Sequence, residues 1–140
     1  MMRPAIGSRL AAATYGLWAG FCVLVSGVIV AALTADKPRQ VFNILRDFCL
    51  PFAISTGFVA LLGWMLLHRR GRQPGRWSYA ALAVGIVVTI HLVLVVAMTG
   101  STDFFISALL GLPAHGWLTV PLALGATGLF VWWLKRGARA

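Results

Sequence analysis

The sequence predicts an all-α membrane protein, and three observations lead to that fold class. Apolar residues make up 60% of the 140-residue chain and charged residues only 11%, whereas soluble domains average about 45–50% and about 25%. Four apolar windows are each long enough for the ~20 residues that a spanning helix needs. A soluble chain of this length has too little interior to bury so much apolar surface. Lipid must therefore cover the remainder.

The four predicted spans are residues 10–33, 48–67, 77–98 and 116–134. The first follows basic residues as a signal peptide does, but its apolar run of 24 residues exceeds the ~7–15 of a signal core. We interpret it as a retained span. The fourth is the least regular, because it contains Pro121, Gly125 and Gly128. Short connections between the windows predict one membrane domain, residues 1–140, folded as a compact four-helix bundle.

Basic residues predict the orientation of this bundle. Three of the twelve lie on one side of the predicted membrane (Lys37, Arg39 and Arg46), and nine lie on the other (Arg3, Arg9, Arg69, Arg70, Arg72, Arg76, Lys135, Arg136 and Arg139). The positive-inside rule then places both termini in the cytoplasm. Short basic tails without organelle-targeting features favour a bacterial inner (plasma) membrane.

Two short interfacial helices are expected in the outer loops. In "ADKPRQVFNILRD", Pro38 stands near a helix start, and the amphipathic pattern predicts a helix on the membrane surface that ends near Pro51. In "STDFFISALLGLPAH", Ser101 or Thr102 would cap a second short helix. Gly111 and Pro113 would stop it. For this second segment, a re-entrant, an interfacial and a partner-binding role all remain open.

Small residues recur along the first span at Ala12, Gly16, Gly20 and Gly27. Helices in lipid associate where small residues let their backbones approach closely. This stripe predicts either packing within the bundle or docking of a partner or a second copy. The GxxxG spacing of Gly16 and Gly20 does not separate the two.

Aromatic residues cluster near the ends of the predicted spans. Trp64, Trp77, Tyr79, Trp132 and Trp133 lie near the predicted cytoplasmic interface. Such positions are typical of the aromatic belts of membrane proteins. We expect these side chains to anchor the helices at the headgroup level.

His91 is the one histidine in the middle of a predicted span. An imidazole in hydrocarbon needs hydrogen-bond partners, and the depth of the residues makes Ser26, Ser55 and Thr56 the candidates. We therefore interpret His91 as a structural residue bonded to a neighbouring helix. The alternative places it beside the pathway of a small oligomeric transporter or channel.

Several chemistries lack the residues that they require. The chain has no glutamate, and its three aspartates, Asp36, Asp47 and Asp103, lie at the outer ends of spans, so no carboxylate is available for proton coupling inside the membrane. Neither GxSxG nor HExxH occurs, and three histidines at three depths offer no metal-ligand spacing or facing haem pair. We expect no enzyme activity, no metal site and no cofactor.

Interfacial charge and the partners complete these expectations. Arg46 and Asp47 adjoin before the second span and are expected to extend into the headgroups, with a gating role as the alternative. The net charge of +9 comes in short flanking clusters without interleaved aromatics, which argues against nucleic-acid binding.

The expected function is that of an accessory, assembly or stabilising subunit of a larger membrane complex. Its partners would be the lipid bilayer and either other membrane subunits or a second copy. A haem- or quinone-associated subunit is the third alternative.

Overall fold

The computed structural model describes residue 5 and residues 7–69, 74–99 and 105–137, and these residues are almost entirely helical. In chain order the elements are α1 (Arg9–Thr34), α2 (Pro38–Ile44), a π-helical segment (Leu45–Cys49), α3 (Leu50–His68), α4 (Arg76–Thr99) and α5 (Phe105–Gly137). Four of these helices are long and apolar enough to cross a membrane. The predicted all-helical class with four such helices is thereby confirmed.

Three of the predicted spans agree closely with the helices. The ends of α1, α3 and α4 lie within two residues of the predicted windows 10–33, 48–67 and 77–98. Ser8 caps α1, since its hydroxyl accepts a hydrogen bond from the Ala11 amide at 3.1 Å. In the most apolar 18-residue stretch of each of the four long helices, at most 22% is buried inside the bundle. Most of the helical surface therefore faces outward and requires an apolar solvent.

The first outer helix is present, but its predicted end near Pro51 is wrong. α2 begins at Pro38 and then continues through the π segment directly into α3. The Leu50 amide bonds the Leu45 carbonyl, five residues earlier. A proline ring in a continuous helix clashes with the carbonyl four residues before it. For Pro51 that residue is Asp47, which lies within the π segment.

The second outer helix does not exist as a separate element. α5 begins at Phe105 and runs without a break to Gly137, so the predicted stop at Gly111 and Pro113 is wrong. Backbone polar groups in an apolar environment are satisfied best by continuing the helix, which explains why prolines are tolerated inside membrane helices. Ser101 and Thr102, the predicted caps, lie outside the described residues.

The helices pack in the order α1, α3, α4, α5, and α5 returns to touch α1. Buried residues of all four long helices form one cluster that includes Tyr15, Trp64, Tyr79 and Leu134. These residues lie near the start of α1, the end of α3, the start of α4 and the end of α5. We call this end of the bundle the basic end, because Arg9, Arg69, Arg76, Lys135 and Arg136 lie beside the cluster there.

Candidate functional site

Gly16 and Gly57 bring the backbones of α1 and α3 into close contact. A methyl group added at Gly16 would come within 2.6 Å of the Gly57 carbonyl oxygen, and one added at Gly57 within 3.0 Å of the Gly16 carbonyl oxygen. Both distances are shorter than normal van der Waals contact. Only glycine at both positions allows α1 and α3 to lie this close.

The rest of the small-residue stripe on α1 faces the same neighbour. Ala12 is buried, and a methyl group at Gly20 would lie 3.0 Å from the Ala53 carbonyl oxygen. At Gly27 it would lie 2.6 Å from the Cys49 Sγ atom. Gly16 and Gly20 therefore lie against α3, and Gly27 lies against the π segment that precedes it.

Trp64 joins all four long helices at the centre of the basic end. Its side chain has no exposed surface. Its ring centroid lies 4.7 Å from that of Tyr15 on α1, 5.5 Å from Tyr79 on α4 and 5.4 Å from Phe130 on α5. Ring pairs at such separations add stabilisation beyond simple burial. The interpretation of Trp64 as a lipid-facing belt residue is therefore wrong, and Tyr79 is buried as well.

His68 links the end of α3 to the start of α4. Its Nδ1 lies 2.9 Å from the Trp64 carbonyl oxygen, and its Nε2 lies 3.2 Å from the Tyr79 hydroxyl. Because a carbonyl oxygen only accepts, Nδ1 donates to Trp64, and the second ring nitrogen and the Tyr79 hydroxyl form the bond between α3 and α4. The His68 ring also stacks on Trp64, with centroids 4.7 Å apart.

Two hydrogen bonds fasten α1 to α5. The Tyr15 hydroxyl lies 2.8 Å from the Thr127 hydroxyl, and both side chains are buried. One turn along α1, the Trp18 indole Nε1 donates to the Ala126 carbonyl oxygen at 3.0 Å. These bonds fix how α5 lies against α1, because their polar groups have no water to bond instead.

The three hydroxyls predicted as candidate partners of His91 each donate a hydrogen bond to a backbone carbonyl. Ser26 donates to the Cys22 carbonyl at 2.8 Å, Ser55 to the Pro51 carbonyl at 2.9 Å and Thr56 to the Phe52 carbonyl at 2.8 Å. Each bond goes to the residue four positions earlier in the same helical run, a common arrangement for hydroxyls in helices. His91 itself is half-buried on α4, and within the described residues α4 does not contact α1, the helix of Ser26.

Arg46 and Asp47 form an ion pair in the π segment. The Arg46 Nε donates to the Asp47 Oδ1 at 2.7 Å, and both side chains are largely exposed. The predicted second span begins at residue 48, so the pair lies just before it in the sequence. The hydrogen bond from Arg46 lowers the pKa of the Asp47 carboxyl. An exposed pair of neighbouring residues contributes little to stability.

The outward face of α5 carries glycines with no neighbour. In the described part of the chain, a methyl group added at Gly125 or at Gly128 would meet no atom within 4 Å. Leu122, Leu129 and Trp132 flank them, each more than half exposed. Buried Thr127, Phe130, Val131 and Leu134 occupy the opposite side of the same helix. We call the face formed by Pro121, Leu122, Gly125, Gly128 and Leu129 the open α5 face.

Two features of the site were not singled out from the sequence. The sequence places Trp64 in a belt, because a tryptophan near a span end gives the same pattern whether it faces lipid or a neighbouring helix. In the sequence, Gly125 and Gly128 only make the fourth span irregular, and glycine spacing does not distinguish a contact with a neighbouring helix from an exposed position. Among the described residues, no three histidine, cysteine or acidic side chains come together as metal ligands would.

Comparison with known proteins gives no relative for this arrangement. No family model matches the chain, and neither a curated protein nor a solved structure matches it.

Proposed function

We propose that the protein is a non-catalytic accessory or assembly subunit that docks against a larger membrane protein through the open α5 face. The four long apolar helices are consistent with a small membrane protein. The observation that supports the docking role is the contrast between two groups of glycines. A methyl group at Gly16, Gly20 or Gly57 would meet a neighbouring backbone, whereas one at Gly125 or Gly128 would meet no atom of the described residues within 4 Å.

The physical argument rests on what glycine does in a helix. Glycine lowers helix stability by roughly 1 kcal/mol relative to alanine in a helix interior. In membranes it is favoured where a second helix approaches closely, since lipid tails give helices no hydrophobic reason to associate. Two lipid-facing glycines three residues apart, with leucines on both sides, form a shallow groove that fits a partner helix.

Affinity purification in mild detergent tests the proposal. We expect tagged wild-type protein to retain larger membrane proteins and the double variant Gly125→Leu/Gly128→Leu to lose them, because the leucines fill the groove. The substitutions point into open space, so circular dichroism and the elution volume should stay unchanged.

Gly85→Leu on α4 is the matched control. Gly85 is also exposed and has no atom within 4 Å of an added methyl group. The control should retain the partners. Equal loss in both variants, or a wild-type protein that purifies without any partner, would contradict the proposed docking.

A further inference from the structure

We propose that the basic end binds the phosphate groups of anionic phospholipids. The first step in this inference is that the ends of four helices meet there. A methyl group at Gly7 would lie 3.9 Å from the His68 ring, which places the start of α1 beside the end of α3. The bond between His68 and Tyr79 brings in the start of α4, and buried Leu134 brings in the end of α5.

The second step is the charge that these ends carry. Arg9, Arg69, Arg76, Lys135 and Arg136 lie within a few residues of the aromatic cluster, on four different helix ends. In the part of the chain that the structure describes, the ion pair runs from Arg46 to Asp47 at the opposite end. The described acids, Asp36 and Asp47, both lie at that opposite end, so the basic end has no described carboxylate to neutralise it.

The third step is the placement of aromatic side chains beside these cations. The Arg136 guanidinium carbon lies 4.9 Å from the centre of the Trp132 ring, and Trp132 is 53% exposed. Stacking uses the face of the guanidinium and leaves N–H donors at its edge, where phosphate oxygens bind. Trp77, next to Arg76, is 88% exposed. Exposed tryptophans of this kind sit at the headgroup level of a bilayer.

These observations specify the ligand by its chemistry. Five cations and two exposed indoles at one end of an apolar bundle match a lipid whose headgroup carries net negative charge and whose acyl chains lie along the helices. The opposite end carries Lys37, Arg39 and Arg46 together with two aspartates. It offers a smaller positive excess to the other leaflet.

Lipid titration of the purified full-length protein tests the inference. Native mass spectrometry would count phosphatidylglycerol and phosphatidylcholine molecules bound to the protein released from nonionic detergent micelles. We expect wild-type protein to retain phosphatidylglycerol in preference to phosphatidylcholine. Lys135→Gln/Arg136→Gln should weaken phosphatidylglycerol binding by about 25-fold, which corresponds to about fivefold per lost charge.

Lys37→Gln/Arg39→Gln is the matched control, because it removes one lysine and one arginine from exposed positions at the other end. It should change phosphatidylglycerol binding less than about twofold. Equal weakening in both double variants would show that net charge alone governs binding and would overturn the inference. A wild-type protein without preference for phosphatidylglycerol would overturn it as well.

Discussion

Gly16 and Gly125 are the same residue type in long apolar helices, yet their surroundings differ completely. Gly16 lies against the backbone of α3, whereas Gly125 has open space where a side chain would be. The sequence predicted that small residues on α1 would matter for helix contact. The sequence could not predict which glycines lie against a neighbouring helix, because that depends on the rotation of each helix about its axis.

This contrast predicts opposite effects of one substitution. Gly16→Ala should lower the free energy of unfolding by about 1–3 kcal/mol, because the new methyl group meets a backbone oxygen that cannot move aside. Gly125→Ala should leave it unchanged or raise it slightly, since alanine is the better helix former. Unfolding in detergent with increasing dodecyl sulfate, followed by circular dichroism, measures both. Similar losses in the two variants would contradict the α1–α3 contact.

His91 shows where residue-level reasoning from sequence reached its limit. Depth along a helix can be counted from the chain, and it correctly suggested that polar groups inside the bundle need partners. The counting overlooked that serine and threonine can bond their own helix, as Ser26, Ser55 and Thr56 do. These three hydroxyls donate within their own helical runs, and the bonds between helices include those of Tyr15, Trp18 and His68.

Among the elements, α3 packs between α1 and α4, and its residue Trp64 contacts rings of the other three long helices at the basic end. The positions of three spans could be predicted within two residues, since the lengths of apolar runs are set by bilayer thickness. The continuation of α2 into α3 and the full length of α5 could not be predicted from the sequence. Prolines and glycines that end helices in water do not end them in an apolar environment.

Trp64 provides the test at this scale. Trp64→Ala should lower the free energy of unfolding by about 3–5 kcal/mol, because it leaves a cavity between rings from three other helices. Trp77→Ala serves as the control, since Trp77 is almost fully exposed, and it should change stability by less than about 0.5 kcal/mol. The same dodecyl sulfate titration compares them. An unchanged free energy of unfolding in Trp64→Ala would contradict the conclusion that Trp64 holds the four long helices together.

At the scale of the whole molecule, charge is distributed unevenly between the two ends of the bundle. Among the described residues, the basic end has no acidic side chain, and Asp36 and Asp47 both lie at the other end. The sequence alone was sufficient to recognise this asymmetry, since it follows from counting residues between apolar runs. That the basic residues surround an aromatic cluster required the packing of the four helices.

We expect the basic end to face the cytoplasm, because translocation of basic loops is disfavoured. Fusion of a fluorescent reporter after Ala140 should give fluorescent cells, and alkaline phosphatase fused at the same point should be inactive. Alkaline phosphatase inserted between Asp36 and Lys37 should be active. Active phosphatase after Ala140 would reverse the predicted orientation.

The aromatic rings packed around Trp64 also block the central axis of the bundle at the basic end. Tyr15, Trp64 and Phe130 fill the middle of the bundle at the basic end, and Trp64 has no exposed surface at all. A polar solute travelling down the axis of a single copy would have to displace close-packed aromatic side chains. Any conduit built from this protein would therefore run between several copies rather than through one.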